Sequence, residues 1–438
     1  MEKGIGIFFR DFLAAVQAAK LYSIEHPLLK NAAAKAFNSL TLILNEQPSF
    51  TIGIIGNEIA SGKEILFSLS KLSEAGLTYF KDRDIEKVTF KRGVDTSELI
   101  KFIQLLTMPK EDIKINPQDQ LLKMGVDNII LGRLGIEEPK NDNAAKAYFE
   151  DISFPLNSVL NLEAVNGLAL KASLNNIINN LGQRYQELLK LNTLKRYDLG
   201  TFTHLINTSI LSMYFASRIG FAKEVILEIG LSALFHDIGK LYISRKVIRK
   251  PGQLNEVEFS LMESHTTLGS ILALRYVDTL GIMPVVVSFE HHLKYDLSGY
   301  PKLAFPRKPN IASQIVSICD VYDALSGRRS YKADYPPDVI YKLMMRGKGV
   351  AYNPDLLDKF FQVVGVWPIG SIVGLSDKKV ALVVAENQDD IFSPQVKVIY
   401  PQKEEQVIDL KGKKGSLKIE RYLNPLKEGK EFLIHLQT

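Results

Sequence analysis

The chain has 438 residues, 46% hydrophobic and 24% charged, with a formal net charge of +5. That length suggests roughly three domains, and a small positive charge spread along the chain gives no electrostatic footprint for a nucleic-acid polymer. The single cysteine, Cys319, excludes a disulfide framework within the chain and a zinc site of several thiolates; its apolar surroundings read as packing.

The N-terminal run MEKGIGIFFRDF carries charges inside its apolar part, unlike a signal peptide. No window approaches the ~20 apolar residues that span a bilayer. A cytoplasmic protein is the expectation. Phe8–Tyr22 and Pro27–Leu44 have helical periodicity, and the β-branched run Ser49–Ile55 reads as a strand. Ser61–Phe80 reads as a helix, Glu86–Lys91 as a strand, Thr96–Thr107 as a helix and Val126–Leu134 as a last strand. Residues 1–136 therefore form an α+β domain, expected to regulate, with no readable ligand. Gly56 to Lys63 superficially matches a phosphate-binding loop, but the spacing is one residue too long and Glu64 replaces the Ser or Thr that would hold magnesium.

The polar, aperiodic segment Glu137–Lys146 marks a linker, placed at 137–157. Ser158–Leu194 reads as a long helical stretch that connects domains or builds a homodimer. Residues 158–364 are helical in pattern, punctuated at Pro251–Gly252, Pro284, Gly299–Pro301 and Pro306. After Trp367–Pro368, the short runs Ser371–Leu375, Val380–Ala385, Val396–Tyr400 and Gln406–Leu410 read as strands of a small β domain, 365–438. The fold class is thus multidomain: an N-terminal α+β domain, a central all-α domain and a small C-terminal β domain.

Five of the seven histidines fall between residues 204 and 292, interleaved with Asp237 and followed by Asp320. Histidine and aspartate are the usual ligands of catalytic transition metals. His236-Asp237 ends the apolar run Ile229–Phe235, and Lys240 stands one turn on. Asn255 and Glu258 form a capping-box pattern that opens a helix and leaves His265 about ten residues in. His291-His292 ends another helix opened by Pro284; neighbouring helical residues diverge by about 100°, so both serve one centre only off the helix or with two metals. Asp320 and Asp323 share a helix face at i, i+3, and His204 opens a helix of its own. Each alone reads equally as a core or capping residue. His26 and His435 stand apart and read as structural.

Taken in order, HDIGK at 236–240, KPGQLNEVEF at 250–259, HH at 291–292, SGYP at 298–301 and DVYDALSGRRSYK at 320–332 resemble the HD-GYP family. This is a branch of the HD metal-dependent phosphohydrolases, and the resemblance covers about residues 195–363. It implies a helical HD-type catalytic domain with two divalent metal ions, iron or manganese by ligand type. His204, His236, Asp237 and Asp320 match the ligands of the first, and His265, His291 and His292 those of the second, with Asp237 bridging. Lys240 matches a residue near the attacking hydroxide and the scissile phosphate. Gly299, Tyr300 and Pro301 are the GYP itself, and Arg329 and Lys332 match contacts to the phosphates of a cyclic dinucleotide. Diguanylate cyclases with a GGDEF domain are the implied protein partners.

The chain also departs from the family pattern. Gly200 stands where some members carry a third-metal Glu, so two metals are expected, not three. Leu293 replaces the Glu after HH, Leu297 the first Gly of the D-G-S/T-G-Y-P form, and Arg328 and Ser330 flank Arg329 in place of Asp and Pro. The expected activity is hydrolysis of cyclic di-GMP to pGpG or GMP by a hydroxide activated between two metals. The alternatives are another substrate, such as cyclic GMP-AMP, or a non-catalytic binding module. Leu293, Leu297 and Ser330 favour the module, and the complete set of seven ligand positions stands against it.

Overall fold

The computed structural model describes residues 2–55, 58–61, 64–66, 76–109, 112–113, 115–132, 167, 170–179, 200–326, 335–401, 407–412, 417–424 and 427–432. The chain divides into two compact units, residues 1–140 with 167–172, and residues 141–166 with 173–438. No helix among the described residues is long and apolar enough to cross a membrane.

The first unit opens with α1 (Glu2–Leu21) and α2 (Pro27–Glu46). His26 caps α2, its Nδ1 accepting from the Leu28 amide at 3.2 Å, so its role is structural as expected. The strands are β1 (Ser49–Ile55), β2 (Glu58–Ser61), β3 (Glu64–Ile65), β4 (Lys87–Lys91) and β5 (Ile129–Gly132), with α3 (Thr96–Thr107) and α4 (Pro117–Lys123) between the last two. They form one antiparallel sheet in the order β3-β2-β1-β4-β5. Alternation turns Phe50, Ile52, Val88 and Phe90 into a core shared with Phe8, Phe12 and Phe102.

The expected helix Ser61–Phe80 is overturned at its start. Ser61 ends β2 and Glu64–Ile65 is a strand; residues 76–80 are helical, and 67–75 lie outside the described residues. Ala60 and Lys63-Glu64 read as helix formers, but pairing Ala60 with Ile65 and burying Ile59 decides the local structure. Residues 137–157 and most of Ser158–Leu194 lie outside the described residues.

The second unit carries α5 (Gly200–Arg218), α6 (Lys223–Phe235), a 3-10 turn (Ile238–Tyr242), α7 (Arg245–Ile248), α8 (Glu256–Glu263), α9 (His265–Leu274), α10 (Val277–Leu280), α11 (Met283–Glu290), α12 (Ile311–Ser326), α13 (Pro337–Arg346) and α14 (Pro354–Val364). The capping box at Asn255 and Glu258 is formed in both directions, at 2.8 and 2.9 Å. His265, however, does not lie mid-helix. The helix is interrupted at Ser264, and His265 is the first residue of α9. The same unit holds β6 (Ile372–Leu375), β7 (Val380–Ala385), β8 (Gln395–Tyr400), β9 (Val407–Asp409) and β10 (Ile419–Leu423), an antiparallel sheet ordered β10-β6-β7-β8-β9. β10 was not read from the sequence, because Lys418, Glu420 and Arg421 mask its alternation; pairing with β6 makes it a strand.

Candidate metal centre

Three helix ends and two further helices bring the centre together. α6 is buried from Ile229 to Phe235 and delivers His236 at its C-cap, with Asp237 next. α9 starts with His265, and α11 ends into His291 and His292. α5 and α12 contribute His204 and Asp320. His236, Asp237, His265 and His291 are between 0% and 4% exposed.

Two glycines permit this convergence. A Cβ on Gly239 would stand 1.9 Å from the carbonyl oxygen of His265, so the turn carrying Lys240 lies directly on the start of α9. A Cβ on Gly299 would stand 1.9 Å from the carbonyl oxygen of His292. The SGYP loop therefore lies on the histidine pair itself, with Gly299 N–H donating to Leu293 O and Tyr300 N–H to His292 O, both at 3.0 Å. The Tyr300 ring stands 4.8 Å from that of His292 and 6.2 Å from that of His265. Burial pushes the Tyr300 hydroxyl pKa up, so the group stays protonated and can donate.

The ligand atoms fall into two groups that share Asp237. One is Asp237, His265, His291 and His292; the other is His204, His236 and Asp237; within each group the atoms lie within 4.8 Å of one another. Backbone carbonyls fix the tautomers. His236 Nδ1 lies 2.7 Å from Ala233 O, His265 Nδ1 2.5 Å from Met262 O, and His291 Nδ1 3.0 Å from Ser288 O. A carbonyl only accepts, so each Nδ1 carries the proton and each Nε2 presents its lone pair.

These lone pairs face one another. His265 Nε2 and His291 Nε2 stand 3.2 Å apart, with Asp237 Oδ1 at 3.3 and 3.7 Å from them. Two lone pairs at that distance repel unless a cation or proton lies between them. Metal–nitrogen bonds of about 2.0–2.1 Å place adjacent donors about 3 Å apart. In addition, His236 Nε2 and Asp237 Oδ1 are buried without a hydrogen bond. Buried polar atoms are rarely left so. The donor set therefore fits divalent metal ions.

Charge is arranged around the same atoms. Burial raises the Asp237 carboxyl, but Lys240 and His236 hold it well below the usual carboxylate range. Lys240 pairs directly with Asp237 Oδ2. Burial lowers His291 to about 4, so it is neutral near pH 7 and available as a ligand; burial and His291 lower His292 as well. His204 lies between two carboxylates of α12, with Nε2 2.9 Å from Asp320 Oδ1 and Nδ1 2.6 Å from Asp323 Oδ2.

Of the residues singled out in the sequence, His204, His236, Asp237, Lys240, His265, His291, His292, Tyr300 and Asp320 gather here, and Gly299 serves the backbone approach. Pro301 follows in the same loop. Arg329 and Lys332 lie outside the described residues. Sequence reasoning gave Asp323 no role, although its i, i+3 spacing from Asp320 was the signal. Leu293 is 1% exposed, an apolar packing residue, and Leu297 adopts φ +66°, a conformation that glycine takes more readily.

Residues 174–356 match the HD domain family model. A cyclic di-GMP phosphodiesterase of Pseudomonas aeruginosa is 30% identical over 230 residues, which is 51% of this chain and 55% of that protein. A cyclic di-GMP phosphodiesterase of Thermotoga maritima is 32% identical over 174 residues, 40% of this chain and 47% of that protein. A 3′3′-cGAMP-specific phosphodiesterase of Vibrio cholerae is 30% identical over 158 residues, 36% of this chain and 30% of that protein. The chain thus spans about half the length, or less, of these curated relatives.

Proposed function

Because this chain belongs, through its HD domain, to the HD-GYP family of phosphohydrolases, we propose that it is a metal-dependent phosphodiesterase acting on cyclic di-GMP. The observation that carries the reading is the pair of facing Nε2 lone pairs on His265 and His291, 3.2 Å apart beside the ionised Asp237. A non-catalytic module has no use for such a desolvated, mutually repelling donor set.

His204, His236, Asp237 and Asp320 would hold one divalent ion, and Asp237, His265, His291 and His292 the other. Such ions, when bound, make a water nucleophilic near neutral pH and offset charge on the phosphate. Asp237 joins the two groups through its separate oxygens, Oδ1 toward His265 and His291, Oδ2 within 3.5 Å of His236. Lys240 places a positive charge at the same carboxylate, where it meets a non-bridging phosphate oxygen. The Tyr300 ring packs beside His292, and its hydroxyl, kept protonated by burial, can donate. Gly299 holds the loop against His292 O, so that donor is preorganised. Arg329 and Lys332 would take the second phosphate. Hydrolysis adds one water across one P–O3′ bond, with the proton passing to the leaving 3′ oxygen. The product is linear pGpG, and a second cut gives GMP.

Similarity to the 3′3′-cGAMP-specific phosphodiesterases favours cyclic GMP-AMP as a second reading. The test is turnover of both cyclic dinucleotides by protein loaded with Mn2+ or Fe2+, with products separated by chromatography. Faster loss of cyclic di-GMP is the expected result. Hydrolysis of cyclic GMP-AMP alone selects the second reading, and hydrolysis of neither by metal-loaded protein rejects the enzyme.

A further inference from the structure

The residue before the histidine pair, Glu290, is 2% exposed. A buried carboxylate costs several kcal/mol unless charge and hydrogen bonds offset it. Among the described residues the offset comes from the far side of the SGYP loop. Oε2 accepts from the Asn310 backbone N–H at 2.6 Å and from the Ser313 hydroxyl at 2.9 Å. Oε1 faces the Arg307 guanidinium in an ion pair that lacks hydrogen-bond alignment.

Two of these partners, Asn310 and Ser313, belong to the start of α12, and Arg307 lies in the loop just before it. Asn310 precedes the helix and caps it, its Oδ1 accepting from Ala312 N–H at 2.9 Å. Ser313 lies in the first turn, where free amides and the helix dipole favour a negative charge. One carboxylate thus joins the end of α11, which delivers His291 and His292, to the beginning of α12, which delivers Asp320.

It also closes a loop. The loop's first residues are fixed to His292 O and Leu293 O through Tyr300 and Gly299, and its last, Arg307 and Asn310, to Glu290. Both ends are therefore held by the four residues 290–293. Between them Leu303 is half-buried and Pro309 buried, but residues 304–308 are exposed, Phe305 at 87%, so the middle of the loop has little apolar burial of its own.

We infer that Glu290 is a positioning residue for the centre: through Arg307, Asn310 and Ser313 it sets where His291 and His292 stand relative to Asp320 and where the loop holds Tyr300. The inference rests on the reading of the His265–His291–His292 group as a metal site. Outer partners of metal ligands typically carry 10–100-fold in metal affinity.

The experiment compares wild type, Glu290→Gln and Arg307→Ala, each shown by circular dichroism to be folded. Arg307 is 57% exposed in its side chain, so its truncation keeps the test open if Glu290→Gln fails to fold. Mn2+ titration by calorimetry should show the weaker of two sites losing about tenfold or more in Glu290→Gln and less in Arg307→Ala. Cyclic dinucleotide KM should rise more than kcat falls. In metal-free protein, amide hydrogen exchange over residues 298–309 should quicken in both variants. Variants that match a two-metal wild type in affinity, KM and exchange overturn the role of Glu290. A wild type that takes up no Mn2+ overturns the metal reading itself.

Discussion

His204 directs Nδ1 to Asp323 at 2.6 Å while its Nε2 stands 2.9 Å from Asp320, so two carboxylates of one helix clamp one imidazole. Asp323 is the outer member, orienting the ring that Asp320 faces from the centre. Asp323→Asn keeps the volume and removes the charge. Mn2+ affinity at the His204–His236 group should fall about 10–100-fold, with the His265–His291–His292 group unchanged. Calorimetry on metal-free protein checks this, and equal affinities at both groups would reduce Asp323 to a packing residue.

The same clamp gives metal uptake a pH dependence. Burial lowers the His204 pKa, but Asp320 and Asp323 outweigh it and raise the value to about 10. Metal-free protein therefore carries a proton on this ring at neutral pH, and a metal must displace it. Mn2+ affinity should rise with pH until about 10, with a proton released on binding. Titrations in buffers of different ionisation enthalpy measure that release, and a heat independent of buffer contradicts it.

Much of this site was legible before the fold was, for a specific reason. His236-Asp237, His291-His292 and Asp320 each sit at a recognisable place, the end of an apolar run, a helix opened by Pro284, a helix face shared with Asp323. What escaped is tertiary. The Asp323 partner, His204, lies 119 residues away. The break at Ser264 has no glycine or proline to announce it, and a capping box marks only where a helix starts. Glu290 looked like any charged residue at a helix end, because its partners Arg307, Asn310 and Ser313 come close only when α11 meets α12. β3 was hidden by the helix-forming residues that the hairpin overrides.

Leu297 holds φ +66° in the loop beside His292. A left-handed conformation costs a side chain with a Cβ about 1–2 kcal/mol. Glycine relieves it but loses about 0.5–1 kcal/mol through the freer unfolded chain. Leu297→Gly should therefore stabilise the protein by about 0.5–1 kcal/mol, read as a higher midpoint in thermal or urea unfolding. Leu297→Ala keeps the Cβ and should give no gain. A glycine variant below wild type would show that the Leu297 side chain contributes more by packing than its backbone costs.

Glu386, just beyond β7, lies outside the ligand set and titrates near neutrality. Burial raises its pKa to about 7, against the opposing pull of its own amide and of Arg218. The folded value exceeds the ordinary 4.5, so the folded state binds the extra proton. Its contribution to stability is then complete below about 4.5 and is lost as the pH rises through about 7. Tyr214 and Tyr322, both pushed upward by burial and further by the Glu386 charge, stay protonated throughout and do not reverse the sign. Glu386→Gln mimics the protonated form at every pH. It should match wild type near pH 4.5 and exceed it near pH 8, flattening the decline in unfolding midpoint between them. Parallel curves for the two proteins would place the titration elsewhere and leave Glu386 an ordinary carboxylate.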